Sequence, residues 1–306
     1  MKNHNAAEQH LQRRKFITDL GAIAGIALIA GSPMISSAES LITAKDITAG
    51  EIIDLFISKQ PYGVLQKTVD TIKAGNRDMK VKGIVTTMFA TIDVIRKAID
   101  LNANFIIAHE PTFYNHLDDT EWLVKDDVYL YKEKLLRNHG ITVWRNHDYI
   151  HSMQPDGVGT GLLKQLSWES YFDEKKGLLN LPSTSLNALI NLLKAKLKIN
   201  TVRYIGDLKQ ECERVLFLPG AAGGTTQITA TARLKPDVLI VGEIQEWETA
   251  EYIRDAGAKG DSISLIILGH IASEEPGSEF MVEWLHKNFP SLKSTHIPSG
   301  NSLSFI

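Results

Sequence analysis

The chain has one cysteine, Cys212, in 306 residues. That excludes an intramolecular disulfide and any thiolate cluster for zinc, so a bound metal must be held by histidine and carboxylate. Lysine and arginine nowhere gather into a stripe, and the formal net charge is -3. This leaves no electrostatic case for nucleic-acid binding. The apolar stretch from Leu20 to Ala30 is too short to span a bilayer comfortably. A Gly-x-Ser-x-Gly elbow is missing and Cys212 has no evident partner, so nucleophilic acyl transfer is unsupported. No low-complexity stretch and no repeat of solenoid period occurs. What is present is ordinary for a globular protein, 43% hydrophobic and 23% charged, and long enough for one large or two medium domains.

Residues 1–38 read as an export signal. A polar start ends in Arg13-Arg14-Lys15-Phe16-Ile17, the apolar stretch follows, and Ser36-Ser37-Ala38 offers small residues for cleavage. The paired arginines before Phe16 and the Gly/Ala-rich apolar core fit the twin-arginine signal, which exports folded proteins; the alternative is an ordinary signal whose charged region happens to contain two arginines. The expectation is an exported, periplasmic protein with no membrane segment after cleavage. No cysteine directly follows the apolar stretch, which argues against a lipoprotein anchor. The segment carries four basic and two acidic residues, so its removal takes the formal charge from -3 to -5.

Strands and helices alternate along the rest. Thr48 to Lys59 is helical, opened by a capping box of Thr48 and Glu51. Val81 to Thr87 reads as a strand, Thr91 to Leu101 as a helix and Phe105 to Ala108 as the next strand, a βαβ unit with parallel strands. A helix from Asp126 stops before Gly140, and the strand Ile141 to Trp144 follows. Further on come a helix at 185–197, strands at 201–205, 215–218, 237–241 and 264–268, helices at 246–256 and 280–287, and a last short strand at 295–297. The fold class is α/β, with helices covering mostly parallel or mixed sheets. Residues 39–167, joined by the C-terminal segment, form a first half and 185–306 a second. The polar stretch 168–184 reads as a linker. The loop Gly220 to Thr226 lacks the lysine of a P-loop and reads as a plain turn. Trp144 and Trp247 read as core or pocket wall.

The chemistry lies at strand ends. His109-Glu110-Pro111 follows Phe105-Ile106-Ile107-Ala108. Asn146-His147-Asp148-Tyr149-Ile150-His151 follows the 141–144 strand. Gly269-His270 follows the 264–268 strand, and Glu274 comes four residues later at a strand-to-helix junction. Ligands collect at the carboxyl ends of strands in open α/β sheets, and imidazoles with carboxylates there suit divalent transition metals. The three segments together point to a shared site for two divalent ions per chain, from among zinc, iron, manganese and nickel. Two-metal sites activate water and clamp an oxyanion or phosphate. His147, Asp148 and Glu243, the last at the end of the 237–241 strand, are the candidates for moving protons. His116, His139, His286 and His296 read as surface or structural residues.

At these segments the chain resembles the NIF-three-like family of dinuclear metal centre proteins, described as type 2 GTP cyclohydrolase I homologues. The resemblance runs over about residues 45–306 and rests on Ile106-Ile107-Ala108-His109-Glu110, on His147 to His151 with Gly157-Val158, on Val241-Gly242-Glu243, on Gly269-His270 with Glu274, and on Pro298-Ser299-Gly300-Asn301. It implies metal ligands at His109, His270 and Glu274. Glu110 stands where the family has a second His, and His151 where it has Asp. The two changes exchange ligand types and keep the count, so Glu110 and His151 complete the expected set, and a mixed or single-metal site becomes an alternative. Asp148 is a further candidate for the missing carboxylate. The resemblance also implies two related α/β domains around a central cleft, and a homohexamer built from dimers. Most members are soluble and intracellular, so an export signal departs from the pattern. The leading expectation is a metal-dependent hydrolase of a small polar or phosphorylated substrate. The alternatives are a non-catalytic metal-binding or scaffold protein and an α/β protein that has lost its site.

Overall fold

Thr48 starts the first helix because its hydroxyl accepts from Glu51 N–H while the Glu51 carboxylate accepts from Thr48 N–H at 2.9 Å. The computed structural model describes residues 46–304 and 306. The export-signal reading of 1–38 lies outside the described residues. The first helix, α1 (Ala49–Ser58), buries Ile52, Ile53 and Phe56 on one face. After it come β1 (Ile72–Ala74), β2 (Ile84–Thr87), α2 (Ile92–Asp100), β3 (Phe105–Ala108), α3 (Asp127–Asn138), β4 (Thr142–Arg145), the single turn α4 (Asp148–His151) and α5 (Gly157–Leu166). The second half contains β5 (Phe172–Asp173), β6 (Leu178–Ser185), α6 (Leu186–Leu197), β7 (Arg203–Ile205), β8 (Glu211–Leu218), α7 (Gly224–Leu234), β9 (Val238–Val241), a π-helical turn (Glu246–Ala250), α8 (Glu251–Lys259) and β10 (Ser264–Ile267). The chain ends with α9 (His270–Asn288) and β11 (Ser294–His296).

Two mixed sheets result. The first has the order β1-β4-β3-β2-β11, with β4, β3, β2 and β11 parallel and β1 antiparallel at the edge. The second has the order β5-β6-β8-β9-β10-β7, with β8, β9 and β10 parallel between antiparallel neighbours. The parallel strands β2, β3, β4, β9 and β10 are buried along their whole length, as continuous apolar runs covered on both faces require. Each sheet has its own apolar clusters. Phe105, Ile107, Trp144 and Leu285 lie in one, and Leu189, Leu193, Val215 and Ile240 in another. Every such fully buried side chain contributes about 1.5–3 kcal/mol.

Helix α9 ties the halves together. It leaves the second sheet at β10, buries Met281 and Leu285 in the core of the first, and hands the chain to β11 there. It approaches α5 closely, because a Cβ at Gly161 would collide with the Pro276 carbonyl and one at Gly277 would stand 2.9 Å from Val158. Small residues at that crossing let the two backbones meet.

Three expectations are corrected. The stretch 168–184 is not a linker: β5 and most of β6 lie in it, and Leu178 and Leu179 are core residues of the second sheet. Its polar residues face solvent on an edge hairpin, which hid the period. The last long helix begins at His270, ten residues before the expected 280, since Pro276 and Gly277 sit inside it. Trp144 is buried, but Trp247 is 75% exposed on the π-helical turn. No helix among the described residues is long and apolar enough to cross a membrane.

Candidate metal centre

Strand ends supply the site. β3 runs into His109-Glu110, β4 into Asn146-His147, β9 into Gly242-Glu243 and β10 into Gly269-His270. Two of these strands belong to each sheet, so the side chains that leave them meet between the sheets. His151 arrives through α4, whose one turn puts it a helical step from His147, with His151 N–H donating to His147 C=O at 3.2 Å. Asp70 fixes the start of that turn by accepting from the N–H groups of His147, Asp148 and Tyr149 at 2.8, 3.0 and 2.7 Å. Glu274 lies one turn into α9 from His270. Gly220, with φ +64°, makes room for it, because a Cβ there would strike the Glu274 carboxylate. The Gly220 loop is thus a fitted wall of the site, not a free turn.

The expected residues come together in two groups. One ring nitrogen each of His109, His147 and His151 lies within 4.8 Å of the others, and so do ligand atoms of His109, Glu110 and Glu274. His270 Nε2 stands 3.2 Å from Glu110 Oε1 and 2.9 Å from Glu274 Oε2. Buried histidine and glutamate groups here can therefore hold a metal ion. His147 stacks on His109 with centroids 4.8 Å apart. It belongs among the ligand-type imidazoles and not, as expected, only among proton carriers. Asp148 is not in either group. Its Oδ1 meets His147 Nδ1 at 2.9 Å, while Oδ2 accepts from Thr68 Oγ1 and Val69 N–H. Both oxygens are taken, so it stands behind His147 and does not replace a missing carboxylate. Glu243 contacts His270 Nδ1 at 3.0 Å and its side chain is 56% exposed, at the mouth of the site.

A metal-ligating imidazole uses one nitrogen for the ion and donates the other N–H to an acceptor. All four histidines are arranged this way through Nδ1: His109 to Asn146 C=O at 3.1 Å, His147 to Asp148, His151 to Asp156 Oδ2 at 2.8 Å, and His270 to Glu243. Nε2 of His109, His147 and His151 is left for an ion, while His270 Nε2 meets Glu274 Oε2 at 2.9 Å, a contact an ion would take over. His109 Nε2 is buried and makes no hydrogen bond; Glu274 Oε2 is 3.4 Å away but out of line for one. An unpaired buried nitrogen costs about 1–3 kcal/mol, and a cation in the centre would satisfy it. The donor set fits a divalent transition metal.

The charges lean the same way. Burial disfavours charge on His270, yet hydrogen bonds to Glu110, Glu243 and Glu274 override it and push its pKa up to about 12. Burial likewise opposes charge on Glu274, but His109 and His270 hold it well below the usual carboxylate range. Glu110 is lowered too, against burial, by the bond from His270 and by His109 and His147. For His151, Asp156 outweighs burial and raises it. For His147, burial and the neighbouring His109 prevail over Asp148 and lower it. Without a cation, protons on imidazole balance the carboxylates.

Sequence reasoning missed the supporting residues. Asp156 both orients His151 and caps α5, accepting from Gly159 N–H at 2.7 Å. Arg145 is fully buried, reaching His109 C=O at 3.3 Å, His116 C=O at 2.5 Å and Glu110 Oε2 at 3.2 Å. The available signal was an arginine at the end of an apolar strand beside a ligand histidine. Replacing Asp156 by alanine should weaken metal binding about 10–100-fold, the usual cost of losing such an outer partner. Competition against a metallochromic chelator measures this, and unchanged affinity would show that His151 does not need it.

Fold and site together define an α/β protein of two mixed sheets with a histidine and glutamate centre between them. The chain belongs to the Duf34/NIF3 (NGG1p interacting factor 3) family, whose model matches residues 53–301. It is similar to a GTP cyclohydrolase 1 type 2 homolog of Clostridium acetobutylicum, 23% identical over 219 residues, 67% of this chain and 76% of the relative. A Staphylococcus epidermidis protein of the same description is 33% identical over 96 residues, 31% of this chain and 25% of the relative. Among solved structures, a Bacillus cereus protein related to NIF3 superposes with TM-score 0.68 at 15% identity, covering 86% of this chain and 99% of that one. Reduced HcgD from Methanocaldococcus jannaschii gives 0.59 at 17%, covering 82% and 97%. At those identities the structural likeness shows the fold alone.

Proposed function

We propose that this protein is a dinuclear metal-dependent hydrolase of a small polar or phosphorylated substrate. The observation that carries the reading is the set of four imidazoles each held through Nδ1, three of them with ring nitrogens within 4.8 Å of one another and one of these buried and unpaired. His109, Glu110, His147, His151, His270 and Glu274 would hold the ions. The chemistry such ions supply is Lewis-acid polarisation and the activation of water. Glu243, solvent-exposed and bonded to His270, is placed to carry a proton between the site and water. The carboxylates Glu110 and Glu274 stay ionised, so metal ions could take the place of the protons that balance them. The hydrolase reading draws support from relatives described as GTP cyclohydrolase 1 type 2 homologs.

Elemental analysis of the purified chain, followed by a panel of phosphoesters and cyclic amides with wild type and His270→Ala, tests it. Two metal ions per chain and turnover lost in the variant are expected. A chain that takes up no transition metal, or turnover that survives the substitution, refutes it, and bound metal with no turnover points to a scaffold role.

Metal uptake should release a proton. His270 holds one through neutral pH in the metal-free chain, and an ion on its Nε2 must displace it. Affinity should then rise about tenfold per pH unit across the neutral range for one displaced proton, with calorimetric heats that depend on the buffer. The raised imidazole also stabilises the metal-free fold. That contribution is whole below the ordinary 6.5 and fades as pH climbs toward about 12.

The proposal includes a homohexamer and export to the periplasm. Tyr114, Leu117, Trp122 and Val124 are exposed in one segment between β3 and α3, an apolar surface that a second copy would cover. Light scattering and cell fractionation test the two.

A further inference from the structure

The two halves of the centre offer different donors. On one side stand three imidazoles, His109, His147 and His151, all within 4.8 Å through ring nitrogens. Each is locked through Nδ1 by an acceptor of its own. On the other side stand two buried carboxylates, Glu110 and Glu274, with His270 Nε2 at 3.2 and 2.9 Å from their oxygens. Glu274 lies between the halves, its Oε2 3.4 Å from His109 Nε2 and 2.9 Å from His270 Nε2. The asymmetry comes from two positions. Glu110 puts oxygen where nitrogen would have made the halves alike, and His151 does the reverse.

Imidazole suits zinc, copper, iron and nickel, while carboxylate suits manganese and magnesium. Three imidazoles around one point also form the donor set of a catalytic zinc that keeps an open position. The half holding Glu110 and Glu274 has mostly hard oxygen donors. Arg145, 3.2 Å from Glu110 Oε2, occupies that oxygen and leaves Oε1 toward the centre.

We propose that the centre is built for two different metals: a zinc-like transition ion on His109, His147 and His151, and a harder, oxygen-preferring ion such as manganese on Glu110, Glu274 and His270. This rests on the dinuclear reading above and sharpens it. The exchanged residues then set metal identity and not merely the number of ligands. The zinc half would be the one with an open position for water, and the manganese half the one that meets an anionic group of the substrate.

The test uses the full chain, stripped by chelation and reloaded with one equivalent of zinc and an excess of manganese. Anomalous diffraction at the two metal edges should place zinc at the three imidazoles and manganese at the carboxylates. The manganese electron paramagnetic resonance should be that of an isolated ion, uncoupled to a second manganese. In titrations with further zinc, displacement of the manganese should need clearly more metal than the first equivalent did. Glu110→His should narrow that gap by about tenfold or more. Circular dichroism and thermal melting of the variant check that it still folds. Where it does not fold, His151→Asp serves instead, and should cut first-zinc affinity by a similar factor. Zinc and manganese scrambled over both positions, or a gap unmoved in the folded variant, overturns the assignment while leaving a two-metal site intact. A chain that binds no metal at all overturns this inference and the hydrolase reading together.

Discussion

His109→Ala is expected to lower metal affinity by more than about 100-fold, beyond the 10–100-fold of an outer partner. His109 is the one residue common to both ligand groups. It touches Glu274 on one side and stacks on His147 on the other. Its ring is also the most constrained of the four, buried at the end of β3 with Nδ1 tied to Asn146 C=O. Losing it opens both groups at once, whereas losing His151 opens one. The fold should survive the change, because relief of the unsatisfied wild-type Nε2 offsets part of the cost of the lost Asn146 and Glu274 contacts and of the space left behind. The expected pattern is therefore near-complete metal loss with only a modest fall in the metal-free melting temperature. Bound metal is read by elemental analysis after dialysis against a weak chelator, and melting by calorimetry. A variant that keeps both ions would remove His109 from its central role.

Arg145→Met is expected to behave in the opposite way, costing about 3–5 kcal/mol of folding stability. The guanidinium is wholly buried and holds two buried carboxylates, Glu110 at 3.2 Å and Asp118 at 3.5 Å, besides two backbone carbonyls. Lys73 supplies a second cation to Asp118 at 3.2 Å and His270 one to Glu110 Oε1 at 3.2 Å, but Glu110 Oε2 loses the guanidinium bonded to it. A buried anion without its cation is the costly half of a broken ion pair. The loss is a large share of the 5–15 kcal/mol a domain usually has. Arg145→Lys keeps charge but not the fork that reaches several acceptors at once, and should fall between. Urea denaturation of the metal-free chain measures all three. A cost for Arg145→Met under about 1 kcal/mol would mean that the network behaves like a surface pair.

The sequence reading found what local chemistry controls. Thr48 with Glu51, Asp126 and Ser185 announce helices α1, α3 and α6, and each side chain caps as its type requires. The apolar runs before His109 and His270 announced buried parallel strands, and with them the strand ends where ligands gather. What it misread depended on partners far away in the chain. Pro276 and Gly277 look like breakers, yet they lie inside α9 where it meets Gly161 and Val158 of α5. The polar 168–184 stretch looks like a linker, yet half of its residues pair as strands at the rim of a sheet. His147 reads locally as a proton carrier, because nothing near it in the chain shows that Asp148 turns away toward Thr68 and Val69. Arg145 was overlooked because its two acidic partners lie on a different strand end and a loop. Type and spacing identify a ligand-bearing segment; only the fold decides which oxygen is already spoken for.

Strand β11 pairs with β2 in parallel, Ser294 opposite Ile84 and His296 opposite Thr86. The border of the first sheet is thus supplied by residues made long after the strand they cover, 210 positions further along the chain. Until they emerge, β2 is an open edge, a template on which a neighbouring nascent chain could pair. Assembly of the centre waits on the same event, because α9, which carries His270 and Glu274, is anchored at its far end by that strand. Premature termination a few residues short of Ser294 would therefore yield a polypeptide with every ligand intact and no secure place to hold them.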